Sequence, residues 1–300
     1  LKLSPARRVL FAIALVTALI GLVRADGTLW LLGGFVLVNL LVLLEVADRL
    51  TLKNDLEVAR DIQLAMLPQH TYAAAGVEAA GRTRPANTVG GDFYDIQPLA
   101  DGRLLVALGD VAGKGSPAAL LMALLLAMLR TLASENLPPA MLVERLNRLV
   151  HDQTPGSRFI TLFLAVFDPR TGDMIYVNAG HTPPLLHHGR TLERLTTGGM
   201  ALGMFEGARY DVDRRVLDVG DLLLMYSDGI TEAEDPGGRP FDEQGLRSVL
   251  TANLTVGVEQ LGKVIFSTVE RFAGSTKLAD DLTVLAIRRV AAPAPATPTT

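Results

Sequence analysis

Four places in this 300-residue sequence set aspartates among small residues at the edge of an apolar run. VGGDFYDI, residues 89–96, puts Asp92 behind two glycines, with Asp95 close after it. RLLVALGDVAGKG carries Asp110 after Gly109, and LLLMYSDGITEAED carries Asp228 between Ser227 and Gly229. TKLADDLTVLAI places Asp280 and Asp281 just before another apolar stretch. Any one of these acids is ordinarily a turn former. Four in comparable settings point instead to convergence on one site. Carboxylates gathered without Cys or His make a hard-oxygen site, which selects Mg2+ or Mn2+. Two such ions sharing a carboxylate make a water more acidic and aim it at phosphorus. They also neutralise charge that builds on phosphoryl oxygens. Glycines beside the acids let backbone and substrate come close. Between Asp280 and Asp281 the residues themselves make no choice.

Other chemistries are excluded by what the chain lacks. GDVAGKGSP is no nucleotide P-loop, because only Asp110, Val111 and Ala112 separate the first glycine from Gly113-Lys114, where four residues are needed. The alternating acids of an EF-hand are missing too. The absence of cysteine removes disulfides, thiolate zinc sites and Cys nucleophiles, and it fits a cytosolic catalytic portion. Lys and Arg number 28 against 32 Asp and Glu, with no basic run, so nucleic acid is not expected as a partner.

The acids must be positioned by the elements around them. β-rich runs lie at 103–111, 159–168, 174–181, 221–229 and 281–289, and DPRTGD, 168–173, reads as a tight hairpin turn. Helical stretches lie at 117–133, 139–151, 242–252 and 258–272. Strands and helices come in pairs, without strict alternation, which favours antiparallel sheets layered with helices, an α+β class. The last ten residues, AAPAPATPTT, read as a disordered tail.

Ahead of this domain stand two uncharged apolar runs, 9–23 and 28–44, joined by RADG. If the first helix begins near Ser4 or Pro5, it approaches the roughly 20 residues a bilayer requires. A cleaved signal peptide is the competing reading, but a second apolar run follows almost at once. Lys2, Arg7 and Arg8 precede the first run, and Arg49, Lys53 and Arg60 follow the second. By the positive-inside rule both ends are cytoplasmic. The expectation is a transmembrane helical hairpin in contact with lipid, with the domain that follows it on the inner side. Asn39 in the second run is a candidate for bonding to a neighbouring helix. Glu45 to Gln69 reads as a helix leaving the membrane, and Leu52, Leu56, Ala59, Gln63 and Met66 are spaced as a short coiled-coil seam. That seam makes a homodimer through the linker the expected assembly; a solvated connector packing on the next domain is the competing reading. The division is then 1–47 anchor, 48–76 linker, 77–290 catalytic domain and 291–300 tail.

In order along the chain, ARDIQLAMLP, VGGDFYD, GDVAGKGSPAALLMA, ITLFLAVFDPRTGDMIYVNAGHTPPLL, GGMALG, LLLMYSDGITEA and DDLTVL resemble successive motifs of the SpoIIE/RsbU-like branch of the PPM phosphatases, the protein phosphatase 2C-like family. The resemblance covers about residues 57–290 and is specific when its motifs are taken together. It implies an α-β-β-α sandwich, a centre of two Mn2+ or Mg2+ ions, and hydrolysis of phosphoserine or phosphothreonine. It implies as ligands Asp92, Asp110, the Val111 carbonyl, Asp228 and one of Asp280 and Asp281, with Asp280 preferred. The four acids Asp92, Asp110, Asp228 and Asp280 are thereby the expected catalytic set. Eukaryotic relatives carry a His where this chain has Ala112, which leaves the source of the leaving-group proton open. His181, in NAGH, and Lys114 are the candidates for contact with substrate; a turn-fixing histidine and a capping or solvated lysine are the plainer alternatives.

The expected function is that of a membrane-anchored, metal-dependent serine/threonine phosphatase. By the same resemblance its substrate would be a phosphorylated regulatory protein of anti-anti-sigma, STAS type. The competing class is a partner-switching module that binds without turnover; loss of an acid would mark it, and none is lost. A two-metal phosphodiesterase ordinarily uses His ligands, which these motifs lack.

Overall fold

The computed structural model describes residues 4–74, 76–154 and 158–291. The expected disordered tail therefore lies outside the described residues, apart from Ala291. The chain divides into two compact units between Ala59 and Arg60.

In the first unit, helix α1 spans Pro5–Val23 and helix α2 begins at Thr28. Ser4 caps α1 by accepting from the Arg7 amide at 3.4 Å, and Pro5 takes the first helical position, where its missing N–H costs nothing. The two helices approach closely: a Cβ on Gly34 would sit 3.1 Å from that of Ala18 and 3.2 Å from the Ala14 carbonyl oxygen. Small residues at such crossings are what packing between apolar helices requires. Arg7 joins Glu45 at 3.0 Å and Asp48 at 2.7 Å, tying the start of α1 to α2. Apolar windows of mean hydropathy 2.0 and 2.3 make both helices long and apolar enough to cross a bilayer. Asn39 does not bond across to α1; it donates to the Phe35 carbonyl of its own helix at 2.8 Å.

The second apolar run and the linker are one helix. α2 continues to Met66, 39 residues in all, because no Gly or Pro interrupts it between Gly34 and Pro68.

The second unit continues through β1 (Tyr72–Ala74), β2 (Val77–Arg84), β3 (Phe93–Pro98), β4 (Leu104–Val111), α3 (Ser116–Ala133), α4 (Pro139–Gln153), β5 (Ile160–Phe167) and β6 (Asp173–Ala179). It ends with β7 (Leu185–His188), β8 (Thr191–Arg194), β9 (Gly198–Gly199), β10 (Asp213–Val216), β11 (Leu222–Tyr226), α5 (Asp228–Glu232), α6 (Asp242–Ala252), α7 (Val258–Ala273) and β12 (Leu282–Arg289). One sheet has the order β1-β2-β12-β11-β7-β8 and the other β10-β6-β5-β4-β3, with β9 against β6. Apart from the β6–β9 ladder, the named strands pair antiparallel.

Helices α3 and α4 pack against β4–β6, and α7 packs against β2 and β12. The layering is α-β-β-α. Central strands such as β4 and β11 are buried nearly throughout, which is why they read as unbroken apolar runs without alternation. One apolar core fills the space between the sheets and under α3 and α4; a second lies beneath α5–α7. α3 is also long and apolar enough to cross a membrane, but Leu121, Met122, Leu125, Leu126 and Leu129 are buried in the first core. Its hydropathy is that of a core helix.

Candidate metal centre

Strand pairing explains how acids far apart in sequence meet. Phe93 pairs with Gly109 in the β3–β4 ladder, which sets Asp92 and Asp110 at one mouth of that sheet. In the other sheet Tyr226 pairs with Val284, so Asp228 and the Asp280–Asp281 pair flank one strand end. Asp281 then links the two sheets. Its carboxylate accepts from the Ala86 amide at 2.8 Å, from Gly91 at 2.7 Å and from Asp92 at 3.4 Å. Ser227 completes the joint by donating to the Asp281 carbonyl at 3.1 Å and accepting from the Thr283 amide at 3.0 Å.

The glycines are required for space. A Cβ on Gly91 would lie 2.9 Å from both Asp110 Oδ1 and the Val111 carbonyl oxygen; one on Gly90 would lie 2.3 Å from Asp281 Oδ2. A Cβ on Gly229 would meet the Asp281 carbonyl oxygen at 2.1 Å. The bare backbone in VGGD and SDG thus lets two sheets' worth of oxygens draw together.

Electrostatically the site is crowded with like charge. Burial, then the charges of Asp110 and Asp281, hold the Asp92 carboxyl well above the ordinary range. Asp110 is pushed up to about 7 by burial and by Asp228, Asp280 and Asp281. Burial, then Asp280, raises Asp228. Glu232, one turn beyond Asp228 on α5, is raised by burial and by the same acids; it was not among the expected site residues, and its i+4 spacing from Asp228 was the available signal. Oδ2 of Asp92 is buried without a hydrogen-bond partner, a costly state for a carboxylate oxygen. Lys114 donates to the Ala279 carbonyl at 2.6 Å and pairs with Asp280 at 3.0 Å.

These features fit divalent cations. An orphaned buried oxygen, an all-oxygen donor set and mutual repulsion among carboxylates are what a bound cation resolves. The fit favours Asp92, Asp110, the Val111 carbonyl, Asp228 and Asp280. Asp281 fits poorly as a ligand, because both its oxygens accept backbone amides; its geometry is that of a brace. The acids do not close into a tight cage: among the described residues, the group of acid and His ligand atoms lying within 4.8 Å of one another is His188, Asp218 and Asp221. There Asp221 accepts from the Gly189 and Asp218 amides and meets His188 at 2.5 Å, a tether for the turn into β11.

His181 is enclosed, with 5% of its surface exposed. Its amide donates to Asn178 Oδ1, its carbonyl accepts from Asn178 Nδ2, and its Nδ1 lies 2.9 Å from Thr161 Oγ1. Burial pushes its imidazole down to about 4. A neutral, walled-in ring cannot touch a protein substrate, so contact with substrate is corrected to fixing the turn after β6. The expected linker seam needs a correction too. Gln63 is buried, bonded to Gly90 in both directions, and Met66 packs on the first core; neither is available to a second helix. A cavity of about 440 Å³ lies away from the acids, among Pro68, His70, Gly81, Arg82, Tyr94 and Lys263.

Comparison with known proteins bears on fold and family. Residues 100–290 match the family model described as Stage II sporulation protein E. Protein IcfG of Synechocystis is 31% identical over 280 residues, covering 84% of this chain and 44% of that protein. The chain thus spans less than half the length of IcfG. The phosphoserine phosphatase RsbU of Bacillus subtilis is 26% identical over 240 residues, covering 79% of this chain and 71% of RsbU. Among solved structures, the SiaA-PP2C domain of Pseudomonas aeruginosa aligns with a TM-score of 0.72 at 22% identity, covering 81% of this chain and 98% of that one. The catalytic domain of the serine/threonine protein phosphatase PstP, solved with two manganese ions, aligns at 0.55 and 18%, covering 72% and 99%. The structural likenesses establish the fold, and the family match, over well more than half of the sequence, establishes that the chain belongs to the SpoIIE family, the SpoIIE/RsbU-like branch of the PPM serine phosphatases.

Proposed function

We propose that this protein is a membrane-anchored, metal-dependent phosphatase that hydrolyses phosphoserine or phosphothreonine on a regulatory protein. The observation that carries the metal dependence is the buried, unpartnered Oδ2 of Asp92, set among carboxylates that repel it. Asp92, Asp110, the Val111 carbonyl, Asp228 and Asp280 would hold two Mn2+ or Mg2+ ions; PstP, of the same fold, was solved with two manganese ions. When bound, such ions supply a more acidic water and positive charge for the phosphoryl oxygens. The chain's own residues do the positioning. Asp281 fixes the 86–92 loop through its amides, and Gly91 leaves room for Asp110 and the Val111 carbonyl. Ala112 offers no proton, and the buried His181 ring is held by its own turn, so neither is placed as the general acid for the leaving alkoxide.

The substrate reading follows the family: a phosphorylated partner-switching protein of STAS type, as the relation to the phosphoserine phosphatase RsbU supports. Two apolar helices support an inner-membrane anchor with the catalytic domain in the cytoplasm. The division into anchor, linker and catalytic domain, and assembly as a homodimer through the linker helix, belong to the same proposal. Retention of all four acids favours turnover over a module that only binds. The test is phosphate release from a phosphoserine protein by the full chain in lipid nanodiscs, with Mn2+ and with chelator. Release that needs Mn2+ supports the reading; binding of the phosphoprotein without release in either condition would favour the non-catalytic module.

A further inference from the structure

Lys114 occupies an unusual position for a surface lysine. It lies between Gly113 and Gly115, whose φ angles of 109° and 76° are left-handed. Nothing lies within 4 Å of where a Cβ would sit on either glycine, so the backbone angle, and not space, calls for glycine there. The turn directs the side chain across to the loop before β12. There its ammonium donates to the Ala279 carbonyl at 2.6 Å and meets Asp280 Oδ2 at 3.0 Å. The hollow among Asn87, Gly90, Gly113, Lys114, Asp280 and Asp281 has only about 10 Å³ free, room for about one water. Lys114 is also the cation whose field reaches Asp228 and Glu232. Against the mutual repulsion of these carboxylates, Lys114 supplies a counter-charge.

We propose that Lys114 is a built-in competitor for the metal: its ammonium holds Asp280 in the metal-free protein and must yield that carboxylate for the ion that Asp280 serves. The inference rests on the metal-dependent reading above and deepens it. Two consequences are opposite in sign. Lys114 stabilises the metal-free state, because it relieves repulsion among Asp280, Asp228 and Asp110. It also weakens binding of one ion, because the lysine must be displaced. The other ion, held through Asp92 and Asp110, would share no ligand with the Lys114 ion pair and would feel only its field at Asp110. Loading thereby releases a cationic side chain, exposed over about half its surface, at the mouth of the site where a phosphate would approach.

The experiment is calorimetric titration of Mn2+ into the full chain in nanodiscs, comparing the parent with Lys114→Gln and Lys114→Arg, alongside unfolding midpoints without metal. For Lys114→Gln the expected result is one of two sites tightened by about two- to fivefold, the range an exposed ion pair supports, with the other changed less. Its metal-free midpoint should fall, and Lys114→Arg should keep both parent values. Unchanged or weaker binding at both sites in Lys114→Gln overturns the proposal. Equal tightening at both sites also overturns it, since that reports a general field and not a shared carboxylate. If the parent itself binds no Mn2+, the metal-dependent reading fails and this inference falls with it.

Discussion

Gln63 and Gly90 exchange two hydrogen bonds. The Gln63 side-chain nitrogen donates to the Gly90 carbonyl at 2.7 Å, and the Gly90 amide donates back to Gln63 Oε1 at 3.1 Å. The pair joins the end of α2 to the residue just before Gly91 and Asp92. Nearby, Arg130 of α3 grips Asp95 with two bonds of 2.9 Å and donates to the Met66 carbonyl at 2.7 Å. Tyr94 adds a bond to the Pro68 carbonyl at 2.9 Å. The last turn of the long helix is therefore bonded to the strand that carries the first acid of the site.

The first prediction concerns that joint. Gln63→Leu leaves a buried amide and a buried carbonyl without partners, at about 1–3 kcal/mol for each group. The unfolding midpoint should drop, and Mn2+ affinity should drop with it, because Gly91 and Asp92 lose their support. Unchanged Mn2+ binding in a folded Gln63→Leu protein would show that the joint holds the helix without holding the site.

A second prediction separates catalysis from stability. Asp110→Ala and Asp228→Ala should each abolish phosphate release at saturating Mn2+ while leaving the fold intact. Near-parental turnover in either variant would exclude that acid from the metal set.

Asp110 also gives a signed pH dependence in metal-free buffer. Its folded value of about 7 lies above its ordinary 3.8, so the folded state binds the extra proton. Ionising Asp110 therefore destabilises the fold increasingly as pH rises from about 4 to about 7. Asp110→Asn should raise the unfolding midpoint at pH 8 and leave it near the parent's at pH 4. Circular dichroism melts at both pH values decide this. An equal gain at both would place the effect in packing and not in charge.

His181 behaves in the opposite sense. Its folded value of about 4 lies below the ordinary 6.5, so the unfolded state binds more protons between those values and stability falls as pH drops through that window. The shift sets an upper bound of about 3 kcal/mol on the loss. His181→Asn should flatten the acid limb of the stability profile, and a limb of parental steepness would assign it to other groups.

The sequence made some of this legible and hid the rest for physical reasons. Asp92, Asp110 and Asp228 stand out because each lies at or beside one end of a buried strand, next to small residues. Both are local features. The expected strands at 103–111 and 221–229 correspond to β4 and β11, since strands covered on both faces must be apolar throughout. The choice between Asp280 and Asp281 was not legible. It depends on Asp281 reaching the amides of Ala86 and Gly91, about 190 residues away along the chain. The weakly apolar strands β7, β8 and β10 escaped notice because four-residue segments at or near sheet edges carry little pattern. Gln63 is bonded to Gly90 instead of facing a second helix for a related reason. Its heptad spacing was real, but a glutamine's partner is decided by what folds against it, and here that is a backbone 27 residues on.

The last prediction relocates the proposed dimer contact. With Gln63 and Met66 engaged by their own domain, placing charge at Met66 would damage the fold before it tested assembly. Val58 and Ile62, one turn apart on α2, instead expose 59% and 60% of their surfaces. Two apolar residues at that spacing form a short stripe, too small to hold a dimer in free solution. Anchors confined to one bilayer would raise the effective concentration and offset weak contacts. A small gap between paired and unpaired states is also what a partner or signal could shift. Because Ile62 precedes Gln63, any rotation of the paired helices would load directly onto the Gly90 joint. Ile62→Glu should therefore lower cross-linking in nanodiscs, leave the metal-free unfolding midpoint unchanged, and alter the Mn2+ concentration needed for half-maximal phosphate release. A variant that no longer cross-links yet keeps the parental Mn2+ response would make the helix a tether and nothing more.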